Sequence, residues 1–210
     1  RTGLFLRRGY TLVWSGWDVS VAPTNSNLTI TVPIARNPDG SSIVGPALEE
    51  FVIDNSTTLS GALTYPAATL DKGRANLTVR NHFGDAPITV PVTGWEYASA
   101  NSIRLLPAGT AFQSGTLYEF TYLAKDALVA GLGFVATRDF ASFLRRAAAD
   151  DRGVANPVAS DVQFIYSFGA SQPARFMHDF LYLGLNEDEQ GHRVFDGILN
   201  WLGAGTGGFF

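Results

Sequence analysis

The spacing of apolar positions divides the chain into three textures. At the amino end, residues 4–8 read as the last turn of a helix, closed by Gly9 as its carboxyl-terminal cap. Tyr10-Thr11-Leu12-Val13-Trp14 is then almost continuously apolar and β-prone, which predicts a strand buried on both faces, as in a parallel sheet, ending at Ser15-Gly16. Residues 19–129, from Val19 to Val129, change character. Short β-branched runs at 28–34, 51–53, 75–80, 88–92 and 117–122 alternate with the turn signals Asn37-Pro38-Asp39-Gly40, Asp71-Lys72-Gly73 and Gly84-Asp85-Ala86-Pro87. This pattern predicts an antiparallel, β-rich insertion.

The texture changes again at Gly131. Phe134, Val135, Arg138, Phe140, Phe143 and Leu144 recur near helical spacing and predict a helix over 132–149. A buried strand over 162–168 follows, then a helix over 172–185 with Phe176, Phe180, Leu181 and Leu183 on its apolar side, then a strand over 194–202. Helix, strand, insertion, helix, strand, helix, strand is an α/β order, with mostly parallel pairing of the sheet expected. A single domain interrupted by a large insertion fits 210 residues.

Composition narrows the function classes. Hydrophobic residues make up 46% and charged residues 16%, ample for a core. The net charge of −4 argues against a polyanion-binding surface and so against nucleic acid as a partner. No apolar run is long enough to cross a bilayer, since the longest candidate carries Lys125 and Asp126. The absence of Cys removes disulfides, thiolate nucleophiles and Cys-ligated metals, and leaves the compartment open. His82, His178 and His192 lie in no metal-binding spacing, and no metal or cofactor is expected.

The strongest chemical signal is Gly169-Ala170-Ser171-Gln172-Pro173, between a buried strand and an amphipathic helix. A nucleophile elbow belongs at such a junction. The sharp turn lifts the Ser171 hydroxyl above the carboxyl edge of the sheet, and the Gln172 N–H faces a developing oxyanion, aided by the helix dipole. Gly-x-Ser alone carries little weight, since roughly one occurrence is expected by chance in a chain of this size. The alternative for Ser171 is a simple helix cap. Pro173 is tolerated in a first helical turn but biases Gln172 away from helical dihedrals.

The stretch from Tyr166-Ser167-Phe168-Gly169-Ala170-Ser171-Gln172-Pro173-Ala174-Arg175-Phe176 through Asn186-Glu187-Asp188-Glu189-Gln190-Gly191 resembles a family of bacterial α/β-hydrolase-domain proteins whose elbow reads approximately G-x-S-Q-S-G-R-F. Residues 8–17, 118–126, Gly131-Leu132-Gly133 and Arg138-Asp139 are similar to it as well. Gly169, Ser171, Gln172, Arg175 and Phe176 match, whereas Pro173 and Ala174 replace Ser and Gly. The resemblance implies a serine hydrolase acting on small-molecule carboxylic esters, with a Ser–acid–His triad in that chain order. His178, two turns along the helix, and His192, near the start of the last strand, are read as exposed or structural. The histidine base is therefore expected on flanking segments or a companion chain, and the isolated chain is expected to be inactive.

Other features have plainer readings. Trp17, at the end of the first strand, either lines the substrate pocket or packs as an ordinary core aromatic. Gly131-x-Gly133-x-x-Ala136 and Gly203-x-Gly205-x-x-Gly208 fit a loose dinucleotide pattern but are better explained by close packing and a loop. Glu187-Asp188-Glu189 reads as a solvated acidic face, and three Asn-x-Thr sequons at Asn27, Asn55 and Asn76 suit any Thr-rich β segment. The insertion is expected to roof the active-site side and contribute to substrate selection, and a rival function remains open: a non-catalytic binding or scaffolding protein in which the β-rich insertion carries the function.

Overall fold

The computed structural model describes residues 3–203. In chain order the elements are helix α1 (Leu4–Arg7), strands β1 (Val44–Ile53), β2 (Gly61–Ala62), β3 (Asn76–Arg80), β4 (Ile88–Thr89), β5 (Trp95–Ser99), β6 (Ser102–Leu105) and β7 (Thr116–Lys125), helix α2 (Leu132–Arg146), strand β8 (Tyr166–Ala170), helix α3 (Gln172–Tyr182) and strand β9 (Gly197–Trp201). They form two compact units. One is Pro33–Leu128; the other joins the segments before and after it.

The Pro33–Leu128 unit is entirely antiparallel. One sheet has the order β1-β7-β3-β4 and the other β2-β6-β5. β1 and β7 pair over ten residues, from Val44↔Lys125 to Ile53↔Thr116. Burial alternates along both strands with the period of two that a pleated strand imposes. The inward residues build an aromatic core. Phe120 and Ile103 are fully buried, and the Trp95 ring lies 5.1 Å from that of Phe120 in an edge-to-face contact. Each such side chain contributes about 1.5–3 kcal/mol by leaving water. Turn chemistry sets the ends: Asp71 accepts the Gly73 N–H at 2.9 Å and starts a short 3-10 turn.

In the other unit, α2 and α3 bury Phe134, Ala141, Phe176, Met177 and Phe180 against Val194 and Phe195. Strands β8 and β9 are parallel, paired from Tyr166↔Gly197 to Ala170↔Trp201. Arg145 of α2 forms an ion pair with Asp196, which also accepts the Ile165 N–H at 2.9 Å, so one carboxylate ties α2 to the starts of both strands.

Three sequence expectations need correction. The mostly parallel sheet is not what the chain forms: β8–β9 is the sole parallel pair among the described strands, and the other sheets are antiparallel. Tyr10-Thr11-Leu12-Val13-Trp14 forms no strand, and Trp14 is 71% exposed. A doubly buried strand requires hydrogen-bonded neighbours and a cover on both faces, and the described residues supply this segment with neither. Residues 28–34 make only the isolated bridge Ile34↔Leu128. The β5–β6 hairpin was not anticipated, because its two-residue turn, Ala100-Asn101, has no Gly to mark it.

A candidate active site at a strand–helix junction

Ser171 separates β8 from α3 and has φ 60°, ψ −119°. A residue with a Cβ rarely adopts such a backbone; the cost is on the order of 1–3 kcal/mol, and the surrounding structure must hold it. Two contacts do so. The Ser171 N–H donates to the Trp201 carbonyl at 2.9 Å, tying the turn to the end of β9. Gly169 lets β8 touch the helix backbone, since a Cβ there would lie 2.7 Å from the carbonyl carbon and oxygen of Pro173. Gly203 plays a similar part, because its Cβ would fall 2.8 Å from that of Ala174. Small residues at 169, 174 and 203 therefore allow the sharp reversal at Ser171.

The first turn of α3 distributes its donors unevenly. Ala174 and Arg175 N–H both donate to the Ser171 carbonyl, at 3.0 and 3.2 Å. Pro173 has no N–H. The Gln172 N–H has no hydrogen-bond partner among the described residues, so the free donor of the turn is the one next to Ser171. Pro173 leaves this arrangement intact because α3 starts at Gln172, which places the proline in the first turn, where no N–H is needed. The Ser171 hydroxyl makes no capping bond to the helix and is exposed.

Trp17 stands apart from that junction. Its ring stacks on Phe176 at 4.4 Å, and Phe176 stacks in turn on Phe134 at 4.4 Å. Phe176 lies five residues beyond Ser171, about 7 Å along the helix axis. Trp17 also borders a shallow apolar hollow with Val19, Gly133 and Phe134. Gly133 is explained by this packing, since a Cβ there would run into the Trp17 carbonyl.

The structure brings Ser171 and Gln172 together, and within their unit neither His178 nor His192 is hydrogen-bonded to them. His178 is exposed with Nδ1 3.4 Å from Asp179, His192 has Nδ1 3.4 Å from Asp188, and His82 has Nδ1 3.0 Å from Asp85. Of the acidic run, Asp188 is buried rather than solvated. Among the described residues no cluster of three or more His, Asp or Glu is placed to hold a metal ion. Sequence reading did not pick out Trp201 and Leu202 as neighbours of Ser171. Only the Gly203 that follows them hinted at a close approach.

β8, the strained Ser171 and α3, whose first N–H has no partner among the described residues, follow one another in the strand–turn–helix order of an α/β protein. The family model for the alpha/beta hydrolase domain matches residues 93–208, more than half of the chain, and the chain belongs to that family. No curated protein and no solved structure matches it significantly.

Proposed function

We propose that this hydrolase-family chain is a serine esterase in which Ser171 attacks carboxylic esters. The observation that carries the reading is the Ser171 backbone at φ 60° with its hydroxyl exposed and bonded to nothing in the helix it precedes. A cap would spend that hydroxyl on the helix, whereas a nucleophile needs it free.

In the proposed reaction a base removes the Ser171 proton as Oγ bonds to the ester carbonyl carbon. The C=O electron pair moves onto oxygen, and the Gln172 N–H donates to that oxyanion. The carbonyl then re-forms, the C–O bond to the alcohol breaks, and the protonated base returns its proton to the leaving alkoxide. Water, activated by the same base, repeats the sequence on the acyl-serine and releases the acid. The preorganised Gln172 donor would account for on the order of a hundred- to a thousandfold in rate.

The base in this reading is a histidine carried outside these residues, on a flanking segment or a companion chain. What supports it is that the two histidines of the same unit, His178 and His192, have Asp179 and Asp188 as their partners and neither is hydrogen-bonded to the Ser171 hydroxyl. Trp17, which borders the apolar hollow with Phe134 and Phe176, is read as a contact for the substrate.

The test uses the intact protein with a fluorophosphonate probe and an aryl acetate. Labelling at Ser171, and loss of turnover in Ser171→Ala with an unchanged far-UV spectrum, is the expected result. Undiminished hydrolysis by that variant, or no labelling of Ser171, would overturn the assignment and favour a non-catalytic binding role.

A further inference from the structure

Leu202 follows β9 as Ser171 follows β8. The last paired residues of the two strands are Ala170 and Trp201, and the Ser171 N–H donates to the Trp201 carbonyl. The two residues therefore leave adjacent strands side by side. Both leave with a positive φ, 60° for Ser171 and 57° for Leu202. The region is unfavourable for any residue with a Cβ, and more so for a bulky one.

The cause at Leu202 is the residue after it. Gly203 lies so close to Ala174 that a Cβ would meet the Ala174 Cβ at 2.8 Å. The chain turns at Leu202 to bring Gly203 against the first turn of α3. A glycine at position 202 would make that turn without strain. The leucine gains no burial in exchange, because it is 74% exposed. The Leu202 side chain, like those of Phe168, Leu199 and Trp201 on the same two strands, is left uncovered within the described fold, and Leu202 is the one of these that leaves its strand beside Ser171 with a positive φ.

We propose that Leu202 is a specificity-determining residue: its side chain contacts the acyl chain of an ester bound at Ser171 and favours acyl groups of several carbons over acetyl. This rests on the reading of Ser171 as nucleophile. The selectivity comes from apolar contact, where each methylene gained or lost in a pocket changes kcat/KM by a modest factor that accumulates along the chain.

The experiment measures kcat/KM of the intact protein on p-nitrophenyl acetate, butyrate and octanoate for the wild type, Leu202→Gly, Leu202→Met and Ser171→Ala. Leu202→Gly is expected to melt at or above the wild-type temperature, because it relieves the strain of the positive φ. Its kcat/KM on octanoate should fall roughly tenfold or more through KM, with acetate changed less than about twofold. Leu202→Met should keep the wild-type chain-length profile. If Ser171→Ala is inactive but Leu202→Gly keeps that profile, or loses all three esters equally with a lowered melting temperature, the Leu202 proposal fails alone. If Ser171→Ala stays active, the serine reading falls and this proposal with it.

Discussion

A single carboxylate, Asp188, fixes the loop between α3 and β9. It accepts the Ser142 hydroxyl at 2.5 Å and the backbone N–H groups of His192 and Gln190 at 2.8 and 3.1 Å, with Arg146 Nε 3.6 Å away. The Ser142 hydrogen bond, joined by the backbone donors and opposed by burial, pulls its pKa down to about 2. The folded value lies below the ordinary 3.8, so the carboxylate contributes its full stability above about pH 4 and loses it as pH falls towards 2. Melting temperature followed by circular dichroism should therefore drop between about pH 4 and pH 2. Asp188→Asn should be less stable than the wild type at pH 7 and should show a shallower drop in that window. An unchanged acid limb in the variant would mean that other carboxylates carry it. The sequence Glu187-Asp188-Glu189 could not separate the buried acid from its solvated neighbours, since all three have the same local composition.

At the scale of elements, α2 ends on a side chain from outside itself. The Asn156 amide nitrogen lies 3.0, 3.0 and 2.8 Å from the carbonyl oxygens of Phe143, Leu144 and Ala147, and its own carbonyl accepts the Val158 N–H at 3.0 Å. Asn156 is buried, so these last-turn carbonyls have no ready water to replace it. Asn156→Ala should lower the unfolding free energy by about 1–3 kcal/mol in denaturant titration. Asn156→Asp should be worse, because it turns a carboxylate towards three carbonyl oxygens. A loss below about 0.5 kcal/mol for Asn156→Ala would show that the end of α2 is solvated instead. Such a cap was not legible in the sequence, since the donor lies nine or more residues from its acceptors. What was legible is local: the β-prone runs of β3 and β7 between turn signals, the helical spacing of α2 and α3, and the small residues around Ser171. The Tyr10–Trp14 run failed for the same reason in reverse. Its apolar pattern records a preference for burial, and only pairing with distant residues could turn that into a strand. The free Gln172 N–H follows from neighbouring residues, whereas Trp201 and Leu202 reach Ser171 through the β8–β9 register, which no short stretch encodes.

At the scale of the whole molecule, the Pro33–Leu128 unit has its own two sheets and its own buried aromatics, Trp95, Phe112 and Phe120. That is what a self-sufficient folding unit requires. Residues 33–128 produced alone should melt cooperatively, with a near-ultraviolet signal from the enclosed Trp95. A broad melt without that signal would show that the unit depends on the rest of the chain. The point of entry has a consequence of its own. Ile34 bridges Leu128, and the Ala35 N–H donates to the Ala127 carbonyl at 2.8 Å, so the unit begins and ends at one place. A gene segment whose product starts and finishes at the same spot can be lengthened, exchanged or deleted while the flanking polypeptide needs only a short splice to close.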